Sequence, residues 1–198
     1  MTQRERSDST IEDLLRVARE QFGLKGYAQT SLDSICDSAN VTKGALYHHF
    51  TGKRDLFRVV YEREQASLAE VVSEAYREAR PDSWEAVFAG ARAFLREALR
   101  PEVQRISLLD APGALGWETM REISTDCLRM MRVGIERAVT SGDIAPHSTT
   151  ALTHLLYGAL CETAVAVARA EDKQTAFELS VAELGSFFDA VARQRQPD

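Results

Sequence analysis

Apolar residues recur at helical spacing along the whole chain, and no segment shows the strict alternation of a half-buried strand. Ile11, Leu14, Leu15, Ala18 and Phe22 fall on one stripe of a first helix. Ser9 followed by Glu12 has the form of a capping box, which places the start near Ser9 or Thr10. Gly23 and Gly26 end this helix and Tyr27 leads out of it. A second helix opens at Thr30, with Asp33 near its exposed amides and Leu32, Ile35, Cys36 and Ala39 on its buried face. Asn40 occupies the next turn, where a left-handed backbone is needed and asparagine tolerates it better than most residues. Thr42 caps a third helix over residues 43–49, and Thr51-Gly52 breaks the chain again. Two short helices around one tight turn make a helix-turn-helix, in which the second helix is short enough to enter a major groove.

The remaining pattern is a larger helical body. A long fourth helix, about 53–79, stops at Pro81, and Asp82 with Glu85 caps the fifth. Pro101 restarts a short helix to about residue 109. Residues 110–116, with two glycines and a proline, predict a loop. A seventh helix follows over about 117–140. An eighth, 148–170, is apolar nearly all round, which marks it for a core or a partner surface. A last helix covers about 175–193. The class is all-α with about nine helices, divided into a reader over 1–55 and a body over 56–198.

Composition changes this picture only in places. Hydrophobic residues make up 44% of 198, enough for a core, and the net charge is −6. The acidic excess lies outside the reader: residues 1–55 carry 8 basic and 8 acidic side chains, and 56–198 carry 16 and 22. A neutral reader binds phosphates if its basic groups share one face. Cys36, Cys127 and Cys161 are dispersed and odd in number, so neither a disulfide framework nor a zinc site is indicated. No apolar signal segment opens the chain, and no stretch nears 18 uninterrupted apolar residues, so a cytoplasmic protein without a membrane partner is expected.

The candidate DNA contacts lie around the third helix. Thr30, Ser31 and Thr42 place hydroxyls at helix starts, which suits phosphate oxygens. Lys43 and Lys53 add charge, and Tyr47 adds a rigid hydroxyl. Gly44, Ala45 and His48 complete the groove-facing surface, where Ala45 suits a thymine methyl. The alternative for each is a solvated face on a small helical unit. Phe50 belongs to the core, and His49 to local packing.

In the body, aromatic and sulfur side chains gather in the middle of the chain. Trp84, Phe88, Phe94, Trp117 and Met120 are candidates for an apolar effector pocket. So are Cys127, Met131, His154, Tyr157 and Cys161, with Met130 close by. The competing reading is ordinary core. His147 and His154 stand seven apart and do not form a helical zinc pair. No phosphate loop or nucleophile elbow appears, and Asp110 has neither a second carboxylate nor a histidine near it in sequence. No metal, no cofactor and no catalytic residue is therefore expected.

From Ile11 to Leu56 the spaced set of Phe22, Thr30-Ser31, Ile35, Ala39, Val41, Gly44, Leu46-Tyr47, His49-Phe50, Lys53 and Leu56 resembles the TetR family of bacterial transcriptional regulators. Asn40 replaces the family's common glycine, and Cys36 its common alanine. The resemblance implies a homodimer that pairs its last two helices, with Leu152, Leu156, Leu160, Phe177, Leu184 and Phe188 as interface candidates. It implies a repressor on a near-palindromic operator, released when a small molecule enters the body and the fourth helix tilts. An activator or an effector-independent regulator of the same fold is the alternative. A helical enzyme would need convergent titratable groups that the sequence does not offer. A non-specific DNA-coating protein would need more basic charge.

Overall fold

The computed structural model describes residues 3–193, with side chains from 9 to 192. Among the described residues it is helical throughout, without strands. The residues fall into two compact units, one of Met1–Gln65 with Pro101–Met120 and one of Ala66–Arg100 with Arg121–Asp198.

The first unit is built on α1 (Gln3–Gln29), α2 (Leu32–Ala39), α3 (Lys43–His49) and the start of α4 (Lys53–Glu78). Helix α1 begins at least six residues before the expected Ser9 cap. Residues 3–8 hold no glycine or proline to stop a helix, so Ser9 lies inside one. Gly26, at φ 82°, interrupts the helical path near its end. The cap of α2 is Ser31 rather than Thr30: its hydroxyl accepts the Ser34 amide. Asn40 is left-handed at φ 53° and its amide caps α2, as the backbone argument requires. Thr42 caps α3 by accepting from the Ala45 amide. Phe22, Phe57 and Tyr27 pack edge to face and fill the centre with Leu14, Ile35, Leu46 and Leu56.

The same unit takes in a piece of the body. Here α6 (Pro101–Val103) runs into a π-helical segment, Gln104–Asp110, and then α7 (Ala111–Leu115). The loop expected over 110–116 is thus largely helical, and only Gly116, at φ 83°, leaves the helix. Ala111 and Leu115 explain this: both are buried, so the stretch has an apolar face to pay for its ordering.

The second unit packs α5 (Ser83–Glu97), α9 (Thr125–Ser141), α10 (Thr149–Arg169) and α11 (Lys173–Arg193) against one another. Asp82 caps α5 through the Trp84 and Glu85 amides. The single helix expected over 117–140 is two, α8 (Trp117–Ile123) and α9, broken at Ser124. Ser124 is buried and bonded to Tyr157, while the Thr125 hydroxyl donates to the Arg121 carbonyl. Adjacent hydroxyls that take up local polar groups in this way compete with the helix ladder.

Candidate nucleic-acid interface and effector cavity

Helix α3 buries Leu46 and turns its other positions outward. Lys43, Gly44, Tyr47 and His48 are exposed, and Ala45 is half-buried beside them. The exposed caps Ser31 and Thr42 mark the starts of α2 and α3. Tyr47 is 57% exposed although it is large and aromatic. Lys43 reaches back to Asp33 at 2.8 Å, an ion pair in which both side chains are solvated. These residues form one continuous outward face.

Two expected contacts are placed otherwise. Thr30 is buried, and its hydroxyl donates to the carbonyls of Gly26 and Gln21 at 2.8 and 3.2 Å. Lys53 is half-buried. Its ammonium donates to the carbonyls of Tyr27, Thr30 and Ala28 at 2.8, 2.9 and 3.4 Å, and it lies 4.4 Å from the Tyr27 ring centre. Three protons meet three acceptors, so the lysine ties down the end of α1. Carbonyls left over at a helix C-terminus, with their partial negative charge, are a natural place for a cation. The periodicity of the sequence gives no signal of this clamp, because its acceptors are backbone atoms more than twenty residues away.

In the second unit a cavity of about 50 Å³ lies among α4, α5, α9 and α10. Val72 and Tyr76 from α4 and Val87, Gly90, Ala91 and Phe94 from α5 form two sides. Cys127, Met130, Met131, Tyr157 and Leu160 close the others. Burial in this apolar setting pushes the Cys127 thiol up to about 11, with Asp126 and Cys161 adding to the shift. Burial likewise raises Tyr157, whose hydroxyl is bonded with Ser124 and Cys161. Desolvation also raises Cys161, against hydrogen bonding from Tyr157 and the field of Arg121.

The cavity gathers Phe94, Cys127, Met131 and Tyr157 from the expected set, with Cys161 beside Tyr157. It leaves out the rest. Trp84 stacks on Phe188 at 4.3 Å and donates its indole N–H to the Phe188 carbonyl, and Phe88 joins the same cluster. His154 faces solvent. Trp117, 69% exposed, and Met120 group with the first unit. Val72, Gly90 and Ala91 had no signal to single them out, because small and aliphatic residues look the same in a core and in a pocket wall, and Tyr76 read as one more apolar position of α4. No group of three or more potential metal ligands occurs among the described residues.

Two family models match the chain: bacterial regulatory proteins of the tetR family over residues 14–60, and the tetracyclin repressor-like C-terminal domain over 84–191. A crystal structure of a TetR-family transcriptional regulator from Pectobacterium atrosepticum is 35% identical, covers 96% of this chain and 97% of its own, and superposes with a TM-score of 0.83. The chain belongs to the TetR family. It is a DNA-binding transcriptional regulator of a non-enzymatic family. The Transposon Tn10 TetC protein of Escherichia coli is 26% identical over 160 residues, 79% of each chain. The probable acrEF/envCD operon repressor of E. coli K12 is 42% identical over 65 residues, 33% of this chain and 29% of its own. That match spans less than a third of the repressor.

TetR-family regulators are helical, and this one leaves an apolar surface on its last two helices. Leu155 on α10 and Leu179 on α11 are 70% and 64% exposed, with Phe187 beside them. They rim a groove of about 630 Å³ over Leu156, Leu160 and Leu184. The expected interface set lies mostly beneath that row, with Leu156, Leu160 and Leu184 lining the groove. Leu152, Leu156, Leu160, Phe177 and Phe188 are buried within one chain, and Leu184 is half-buried. Both helices are apolar on more than one side, so composition alone did not tell the inner row from the outer.

Proposed function

We propose that this TetR-family regulator is a homodimeric repressor of a near-palindromic operator, released by a small molecule that enters the second unit. The observation that carries the reading is the outward face of α3, where Tyr47, His48, Lys43 and Gly44 stand free of the core behind the Thr42 cap. An exposed tyrosine and histidine on a seven-residue helix do little for folding, and they suit a groove. Residues 1–55 would read DNA and the rest would serve ligand and partner. The kinship of the reader with an operon repressor supports repression.

The exposed row of Leu155, Leu179 and Phe187 supports pairing of α10 and α11 with a second copy. Helix α10 is also long and apolar enough to cross a bilayer by length and composition. A partner helix covers such a face equally well, and a regulator that binds DNA would work in the cytoplasm. A two-fold dimer sets its recognition helices about 34–36 Å apart, in successive major grooves. Helix α4 supplies residues to both units: Leu56 and Phe57 to the reader's core, and Val72 and Tyr76 to the cavity wall. A ligand that favours the released state by about 1–3 kcal/mol would control binding.

Selection of bound fragments from random duplex DNA tests this. Enrichment of a sequence with two-fold symmetry is expected. A folded protein that enriches nothing at low salt would overturn it.

A further inference from the structure

The wall of the second-unit cavity holds no lysine, arginine, histidine, aspartate or glutamate. A charged group placed there would lose its water, and the Arg121 charge lies outside the wall, 5.9 Å from the Tyr157 ring centre. The polar atoms present are nearly all engaged already. The Tyr157 hydroxyl is bonded with Ser124 and Cys161, and sulfur is a weak hydrogen-bonding partner that a ligand oxygen can replace. The Cys127 thiol, raised first by burial, shares these surroundings.

The cavity is small as it stands, about 50 Å³, well below the several hundred of a typical ligand site. Two of its walls can yield. Met130 and Met131 are unbranched and flexible, and thioethers pack well against aromatic rings. Gly90 and Ala91 give the α5 side little or no side chain, beside the aromatic Phe94, Tyr76 and Tyr157.

Resting on the reading of this cavity as the effector site, we propose that it takes an uncharged, predominantly apolar molecule, with one oxygen at most meeting the Tyr157 hydroxyl. Methionine movement opens the room for it. The same wall disfavours charged effectors at this site.

Two fluorescent probes with one ring skeleton separate the outcomes. N-phenyl-1-naphthylamine is neutral, and 1-anilinonaphthalene-8-sulfonate carries a sulfonate. Titrated into the purified full chain, the neutral probe is expected to bind saturably and the anionic one about tenfold or more weakly, a difference of roughly 1.4 kcal/mol. Gly90→Leu fills the cavity from α5 and should abolish the neutral probe's site. The Cβ itself has room, since its nearest neighbour is Val72 Cγ1 at 3.4 Å. Met130→Trp fills it from α9 and guards against a folding defect in the first variant, with thermal melts run on both.

Equal binding of the two probes overturns the proposal. So does neutral binding that survives in two folded variants, which would place the probe on the exposed α10–α11 groove. Absence of binding by either probe overturns it as well. The regulator reading is judged separately, by DNA enrichment. Probe binding that leaves operator affinity unchanged would keep the ligand class and remove the effector role. A charged molecule that releases operator without displacing the probe would do the reverse.

Discussion

Asp110 accepts the backbone N–H of Tyr27 at 2.6 Å through Oδ2. The same oxygen accepts from Arg105 Nε at 3.2 Å. The carboxylate thus joins the end of the π-helical segment to the turn that leaves α1. At Gly26 a Cβ would overlap the Arg105 guanidinium, so the glycine serves both its positive φ and this close approach. Further along, Arg54 donates to the Leu115 carbonyl at 2.8 Å. Residues 101–115 are therefore part of the reader's packing, although they lie some fifty residues beyond it in sequence.

Replacing Asp110 by alanine leaves the Tyr27 amide without its acceptor and Arg105 without its partner. Stripping a fully buried donor of its acceptor costs about 1–3 kcal/mol, and this part-buried amide should fall toward the low end. For a chain of this size that lowers the melting temperature by about 2–4 °C per kcal/mol. Asp110→Asn keeps an acceptor oxygen and should lose less. Thermal melts followed by circular dichroism decide it. An Asp110→Ala melt that matches the parent's would mean the contact carries no stability.

Lys53 is held by three backbone carbonyls, and a structural clamp and a phosphate contact predict different outcomes for it. Lys53→Met should destabilise the protein by about 1.5–3 kcal/mol, the range for hydrogen bonds to a charged group. The salt dependence of DNA binding should stay as it was. Loss of a phosphate contact would instead make the slope of log K against log salt shallower by about one. Binding titrations at several salt concentrations discriminate the two, and a shallower slope with an unaltered melt would return Lys53 to the DNA surface.

Lys43 is the better candidate for that slope. Its ion pair with Asp33 is fully solvated, so a phosphate can displace the carboxylate at small cost. Lys43→Ala should reduce the slope by about one. Asp33→Asn should tighten binding at low salt by about two- to fivefold, the range of an exposed pair. Weaker binding by Asp33→Asn would show that the aspartate positions the lysine rather than competing for it.

The Cys127 thiol gives the protein an alkaline weakness. Its folded-state value is about 11, raised from 9.0 by burial first. Between those values the unfolded chain sheds the proton and the folded chain keeps it. Stability should therefore be unaffected by this group below about pH 9 and should fall as pH rises toward 11, by at most about 1.4 kcal/mol per pH unit. Cys127→Ala should flatten that limb. Urea denaturation at pH 8.5, 9.5 and 10.5 compares the two, and equal slopes would assign the weakness to other groups.

The reader was legible because its signals are local. The capping oxygens of Thr42 and Asp82, the left-handed Asn40 and the apolar spacing of α1 to α3 act within a few residues of themselves. The body was legible as helices but not as surfaces. Whether Leu155 or Leu156 points outward depends on which neighbour packs first, and a helix apolar on several sides does not encode that. Lys53 and Asp110 were hidden for a further reason: their partners are backbone groups, which every sequence supplies at every position. Ser124 and Thr125 broke a helix that spacing alone would continue.

The outer row on the last two helices supplies the remaining prediction. Leu155 and Leu179 project 70% and 64% of their surface into solvent in the single chain, while Leu152 and Phe177 are buried. A charge at Leu155 or Leu179 therefore costs the folded monomer little, and within a packed two-fold interface it meets its own symmetry mate's apolar surface or its like charge. Leu155→Asp with Leu179→Asp should give a folded monomer, seen as half the parent's mass by light scattering coupled to size exclusion. Operator affinity should fall with it, because one reader loses the phosphate contacts of the other. Alanine at Leu152 should instead lower the melting temperature and leave the mass unchanged, since that side chain belongs to the chain's own core. A double aspartate variant with the parent's mass would show that the copies do not meet on this face.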